Sequence, residues 1–447
     1  LSFIQDPTVF YLIARSSSAV LGTATVGLVY LIGNQIKSEK VGLVAALFLA
    51  CSYEHVIHSH YCTVDTALTF LCTLSVYQCL MLFQSNSYWR YMLSGFSIGL
   101  ALATKFSGAL FFITLISAHL LQRRNGNFMN IILCKKLWLG IFAFFLGHFF
   151  ACPFFYIDLK LVLNEAAELR ALHSYSGFNL LKYTKYFIKY YWGIPLGALC
   201  FLGFIHSITT RNRKLFVLFI TSTTVICFAS LHQYIEAKYI IYVFPIFALL
   251  GANLFWDCFG SIKRKSSYVV LLAFLIHPVY LVVDWDIQLV QKSLNQEAKE
   301  WIEEHIPVNA KILLDSHGKT GVKLNNSPEN LKRQYQKALK HKLTKAEYLE
   351  LKLQTSPETY YNLVFVNDSV GFRKDDYKRY CLWQDLEEIG KPLDYYQQKE
   401  FDYIIVTDRF FSQIGKEFNL IKEFNKRNRR IRIYKIKNSH NNPQAKP

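Results

Sequence analysis

Residues 53–65 read YEHVIHSHYCTVD, a short polar stretch set between strongly apolar segments. The apolar hairpin that follows is broken at Thr104-Lys105-Phe106. His55, His58, His60, Asp65 and Lys105 are costly residues to keep in a membrane-sized hydrophobic context. Ionisable groups at or near membrane depth mark functional cavities and are usually paired there. The expectation is that Asp65 and Lys105 meet at one water-facing site on one side of a bilayer.

The chain has 447 residues, 52% hydrophobic and 18% charged, against about 25% charged for a soluble chain. The average hides a division. Up to about Asp284 the sequence is a string of apolar segments, and beyond it lies ordinary mixed sequence rich in Lys, Glu and Tyr. Two units are expected: a polytopic membrane domain over 1–285 and a soluble α/β domain over 286–447, the latter of roughly 160 residues and large enough for one core. The net charge of +18 needs no nucleic-acid partner, because its loop distribution follows the positive-inside pattern. The ten cysteines lie mostly inside apolar segments, where they act as small hydrophobes, and neither a disulfide framework nor a zinc pattern is readable. The chain opens at Leu1 with no signal-peptide pattern, so a missing N-terminal segment is expected.

Apolar segments fall at about 9–34, 41–53, 65–84, 91–104, 106–122, 137–154, 190–208, 215–231, 239–257 and 267–284. A span needs about 17–25 residues, which leaves 41–53 and 91–104 short. Charge arbitrates. If all ten segments span, Lys37/Lys40, Arg90, Arg123/Arg124/Lys135/Lys136, Arg211/Arg213/Lys214 and Lys263/Arg264/Lys265 all fall on one side, the expected cytoplasmic side. Treating 91–122 as one helix would put Arg90 and Arg123 in opposite compartments. With ten spans, Asp65, Lys105 and the C-terminal domain share the non-cytoplasmic side.

Between spans, apolar positions Leu159, Val162, Leu163, Ala166, Ala167, Leu169 and Leu172 suit one face of an interfacial helix. The tract Tyr183 to Trp192, with Lys182, Lys185 and Lys189, reads as an aromatic belt with snorkelling lysines. In the C-terminal domain a helix is expected over 295–305, strands over 311–315, 361–366, 401–407 and 430–436, and a charged helix over about 328–353. Continuous apolar strands between helices predict a partly parallel sheet.

Each candidate residue has a bland alternative. Asp65, with Thr63, could simply cap a helix; the functional reading is a carboxylate that activates an acceptor or helps hold a divalent ion. His55, His58 and His60 lack a recognised zinc spacing and read as solvated interfacial histidines. His58 and His60, beside Asp65, remain candidates for contacting substrate. Lys105 could snorkel, or its ammonium could pair with a lipid-linked phosphate. Arg15 and Lys238 have equal claims on that phosphate. His173 is an orphan candidate for a metal or an acid–base role, which makes a divalent metal ion a candidate cofactor.

The order of these features is more telling than any one of them. Ala14-Arg15-Ser16, Val29 to Gly33, Val41 to Leu47, Asp65, and Ser94-Gly95 through Thr104-Lys105 resemble the polytopic GT-C glycosyltransferases, closest to the protein O-mannosyltransferase and lipid A aminoarabinose transferase superfamily. In the C-terminal domain, Ala298 to Ile302 and Phe401 to Val406 look like the soluble domains appended to many bacterial members. The resemblance implies inverting transfer of a sugar from a polyprenyl-phosphate carrier to a lipid, glycan or protein acceptor, on the periplasmic or luminal face. It matches Asp65 to the acidic position at the head of the family's fourth helix, and Lys105 to the basic position between the next two. It also implies a principal acidic residue in a first external loop ahead of Arg15, which this sequence does not reach unless Asp6 is its edge. The expected protein is thus an integral membrane glycosyltransferase, in the bacterial inner membrane. A transporter or flippase for a lipid-linked or small solute is the alternative; it predicts ionisable groups near span centres and repeat symmetry, whereas this chain gathers them at span ends. A non-catalytic membrane scaffold is the third possibility.

Overall fold

Helices form along the apolar runs, even through Gly22, Gly27 and Gly33 in residues 8–36 and Pro278 in residues 264–290. The computed structural model describes residues 8–124, 126–172, 179–188, 192–231, 236–315, 321–340, 345–355, 358–366, 401–407, 418–426 and 429–436. The chain divides into two compact units, Val9–Ile287 and a second that takes in Gln288–Pro447.

The first unit is helical: α1 Thr8–Ile36, α2 Glu39–Ala50, α3 Tyr53–His60, α4 Val64–Met81, α5 Tyr88–Thr104, a 3-10 turn Phe106–Phe111, α6 Phe112–Gln122, α7 Phe128–Ile132, α8 Lys135–Ala151, α9 Phe154–Ile157, α10 Leu159–Leu172, α11 Leu180–Tyr186, α12 Ile194–Thr209, α13 Arg213–Ala229, α14 Phe244–Phe259 and α15 Arg264–Val290. Side chains of Ser38, Ser87 and Asn212 accept hydrogen bonds from first-turn N–H groups of α2, α5 and α13, which satisfies donors the helix cannot. Helices occupy all ten apolar segments. Five stretches are long and apolar enough to cross a membrane by length and composition (Thr8–Ile36, Val64–Met81, Met129–Ala151, Ile241–Phe259 and Lys265–His305), or up to six if α2 and α3, bent by 62°, count as one broken span. The remaining apolar helices are short of one bilayer thickness by length alone.

Hydrogen bonds sort the loops into two ends. Asn212 Nδ2 donates to Ile36 O at 3.4 Å, Lys214 Nζ to Gln35 O at 2.6 Å and Arg213 Nη1 to Leu121 O at 3.3 Å. The basic loops after α1, α6 and α12 therefore gather at one end of the bundle. The loop after α3 and the corner after α5 lie at the other.

α5 packs closely on α8 because small residues let the backbones approach. A Cβ on Gly99 would meet Phe144 O at 2.1 Å and Gly147 Cα at 3.1 Å. Small residues four apart are the usual means of close helix contact in lipid, where burial against water does not drive association. This contact fixes the hairpin whose tip carries Lys105.

Part of the aromatic tract departs from a belt: Tyr186 is exposed beside Lys182 and Lys185, but three other rings are not. Tyr183, Phe187 and Trp192 are buried, and Phe187 and Trp192 pack with Phe244, centroids 5.5 Å apart in each case. The rings turn inward because α14 offers apolar partners there. Lys189, Tyr190 and Tyr191 lie outside the described residues, as does His173.

In the second unit come α16 Leu294–His305, β1 Lys311–Asp315, α17 Pro328–Lys340, α18 Lys345–Gln354, β2 Asn362–Val366, β3 Tyr403–Thr407, β4 Phe418–Lys426 and β5 Arg429–Ile436. The sheet order is β2-β1-β3-β5-β4. β1 runs parallel to both β2 and β3, while β5 is antiparallel to β3 and β4. Ala298 and Ile302 of α16 share a buried core with Ile312, Leu314, Leu363, Ile405, Ile431 and Ile433. The expected helix over 328–353 is two helices, and β4 is a strand the sequence reading did not contain.

Candidate active site

Asp65 stands in the first turn of α4, and Thr63, the N-cap residue, makes no side-chain capping bond. The Asp65 carboxylate instead reaches across to Lys105: Lys105 Nζ donates to Asp65 Oδ1 at 2.8 Å. Lys105 is the C-cap of α5, in extended conformation, and its carbonyl accepts from Gly108 N at 2.8 Å to start the 3-10 turn. Each charge thus sits at the helix end that favours it, an anion at an N-terminus and a cation at a C-terminus. The Asp65 side chain is 9% exposed and that of Lys105 28%. The pair is therefore sheltered from solvent, with the ammonium as its accessible half.

Lys238 enters the same site through its backbone. Its carbonyl accepts a second hydrogen bond from Lys105 Nζ at 3.2 Å, which holds the ammonium between two oxygens. The Lys238 ammonium pairs with Glu236. Burial works against that charge, but the Glu236 carboxylate outweighs burial and holds the Lys238 pKa above its ordinary value. The Tyr239 ring lies beneath both cations, its centroid 5.8 Å from Lys105 Nζ and 5.2 Å from Lys238 Nζ, within cation–π range.

His58 borders the pair. It lies within electrostatic reach of Asp65, Lys105 and Lys238; its carbonyl accepts from Thr66 Oγ1 at 2.8 Å, and Glu54 approaches its ring at 3.6 Å. His60 points elsewhere and meets Asp286 at 3.3 Å. Arg15 is exposed on α1 near Tyr61. Burial pushes the Tyr61 phenol up and the Arg15 charge opposes the rise. So Asp65, Lys105, Lys238 and His58 are brought together, while Arg15 and His60 flank them.

The reading of the three histidines as solvated is corrected at His55, which is buried with Nε2 3.2 Å from Gly22 O. Packing of α3 on α1 removes it from water. Among the described residues no group of three or more His, Cys, Asp or Glu side chains could hold a metal ion. Sequence reasoning missed Glu54, Glu236, Tyr239 and Trp285. The Glu54–His58 spacing of four on a helix was the available signal. Trp285 packs in T-shaped geometry with Tyr53 and Tyr61, ring centroids 6.2 and 6.4 Å apart, a contact over more than two hundred positions that carries no local signature.

Residues 12–150, which contain Arg15, His58, His60, Asp65 and Lys105, match the family model of the dolichyl-phosphate-mannose-protein mannosyltransferases. The chain is similar in structure to the crystal structure of ArnT from Cupriavidus metallidurans bound to undecaprenyl phosphate, with TM-score 0.54, 11% identity, and coverage of 97% of this chain and 85% of that one. The fold is that of the GT-C glycosyltransferases. Apo ArnT from the same organism gives TM-score 0.53 and 13% identity, covering 94% of this chain and 83% of that one. The oligosaccharyltransferase of Archaeoglobus fulgidus, in complex with Zn and sulfate, is a looser likeness at TM-score 0.44 and 12% identity, over 84% and 58% of the two chains. No curated protein matches the sequence. Asp65 and Lys105 fall within the matched residues 12–150, and Lys238 falls outside them.

Proposed function

We propose that this protein is an integral membrane glycosyltransferase that moves a sugar from a polyprenyl-phosphate-linked donor to a lipid, glycan or protein acceptor. The observation that carries the reading is the sheltered Lys105 ammonium, held by Asp65 Oδ1 and Lys238 O at the ends of two helices. The match of residues 12–150 to a mannosyltransferase family and the fold shared with a protein that binds undecaprenyl phosphate support the donor class.

In this reading the reaction inverts the anomeric carbon. The acceptor oxygen attacks C1 of the sugar, the C1–O bond to phosphate breaks, and the polyprenyl phosphate leaves with the bonding electrons. A carboxylate takes the acceptor proton, and Asp65 is the residue placed to orient or activate that acceptor once Lys105 turns to the donor. Lys105, with the Lys238 ammonium also near the Tyr239 ring, stabilises charge on the departing phosphate, where preorganised cations contribute most. His58 borders the pair and would hold the sugar hydroxyls. Arg15 and His60 would flank the acceptor path. The bacterial inner membrane, with this site and the second unit on the periplasmic side, is the location that fits the basic loops at the opposite end.

The test uses membranes carrying the protein, supplied with radiolabelled polyprenyl-phosphate sugars or with the corresponding nucleotide sugars. Transfer from the former alone supports the reading. Transfer from nucleotide sugars without lipid carrier, or solute uptake into sealed vesicles with no transfer, would overturn it.

A further inference from the structure

At the end of the bundle away from Lys105, Gln122, Arg123, Arg124, Asn130 and Arg213 line a cleft of about 230 Å³. The residue count from Lys105 to Gln122 puts it roughly 25 Å away along the hairpin's return helix at 1.5 Å per residue, so it is no part of the site above. Its lining holds three guanidinium groups and no carboxylate. Internal contacts organise it: Arg213 Nη1 is tied to Leu121 O at 3.3 Å, and Gln122 Nε2 to Leu82 O at 2.7 Å. The Arg123 guanidinium hydrogen-bonds the Tyr91 side chain, while its Nε is buried without a hydrogen-bond partner.

Basic residues at this end of a membrane bundle follow ordinary charge placement, but that bias asks only for solvated charge. It does not require a concave site lined by three guanidinium groups and no carboxylate. The volume falls below the range of about 300–1,000 Å³ usual for drug-sized ligands, which suits a headgroup or small anion rather than a nucleotide. Guanidinium forks match phosphate oxygens in geometry as well as charge.

We propose that this cleft is a phosphate-binding site, occupied by the phosphate of an anionic lipid headgroup or of a small soluble phosphate compound. The site is separate from the donor site and does not depend on it. Arg124 is exposed and lines the cleft, so Arg124→Gln can be made without removing a bond that closes the fold. Arg211, exposed in the loop before α13, is the charge-matched control.

The full chain is placed in nanodiscs of phosphatidylcholine, with or without phosphatidylglycerol. Thermal stability is read against inorganic phosphate and pyrophosphate, with chloride at matched ionic strength. Retained lipid is read by native mass spectrometry. A stability rise with phosphate or pyrophosphate in neutral discs identifies a soluble ligand; a rise and retained lipid only with phosphatidylglycerol identify a headgroup. In either arm Arg124→Gln weakens binding about tenfold, as expected for loss of one charge-assisted hydrogen bond, while Arg211→Gln leaves it unchanged. No anion effect in any disc overturns the proposal. So does an equal loss in Arg124→Gln and Arg211→Gln, which would mark general surface charge.

Discussion

The Asp65 carboxylate and the Lys105 ammonium meet at 2.8 Å across forty positions of sequence, each at the helix end whose dipole favours its charge. Removing one partner strands the other. Lys105→Met leaves the Asp65 carboxylate sheltered and unpaired, a loss of about 3–5 kcal/mol for a fully buried pair and less for this half-accessible one. The exchange Asp65→Lys with Lys105→Asp restores the pair but reverses both charges against the helix dipoles, at about 0.3–1 kcal/mol each. Thermal denaturation in detergent should therefore rank wild type, then the exchange, then Lys105→Met. An exchange variant no more stable than Lys105→Met would mean the two charges contribute separately.

Lys238 contributes a carbonyl to Lys105 and an ammonium to Glu236, and only the second depends on its side chain. Lys238→Ala should keep the Lys105 geometry and raise KM for the lipid-linked donor with a smaller change in kcat. Lys105→Met should lower kcat. Equal effects on both parameters from both variants would dissolve the distinction.

The α5–α8 contact leaves no room for a side chain at Gly99, where a Cβ would sit 2.1 Å from Phe144 O. Gly99→Leu forces the helices apart, costing about 1–3 kcal/mol or more by overpacking, and carries the Lys105 corner with it. Lower Tm and lost transfer together are the expected result. Normal stability with normal transfer would show that the contact does not set the site.

Much of this arrangement was legible in the sequence because one physical rule dominated. Ionisable groups in an apolar chain are costly, so Asp65 and Lys105 stood out before any geometry was known. Short apolar runs marked β1, β2 and β3, and β-branched alternation in RRIRIYKI marked β5. What was illegible depended on distant partners. β4, FNLIKEFNK, is mostly exposed, and a register shift between Leu420 and Lys422 breaks its alternation, so neither burial nor period revealed it. Tyr183 and Trp192 looked interfacial because aromatic rings near lysines usually are, and only α14 shows why they turn inward. The Lys238 carbonyl is invisible to any reading of side chains.

In the second unit Tyr361 is buried, and its hydroxyl donates to Ile302 O at 3.2 Å. Burial, with a smaller push from Glu303, raises its pKa to about 12. A raised acid favours the protonated fold, so its contribution is intact below the unfolded value near 10 and is lost as pH climbs from there to about 12. Tyr361→Phe should lose about 0.5–1.5 kcal/mol at neutral pH and lose stability less steeply between pH 10 and 12. Hydrogen exchange of the β1 and β2 amides in the full chain reads both effects, and identical alkaline slopes would contradict the assignment.

The most direct test of the central claim is the rate of sugar transfer from a polyprenyl-phosphate donor by wild type and Asp65→Asn, at matched expression and with matched melting temperatures. The account predicts a fall in kcat of about 10²–10⁴, the range for loss of a positioned carboxylate. Transfer at the wild-type rate by a folded Asp65→Asn protein would contradict it and leave Asp65 as the structural partner of Lys105 alone.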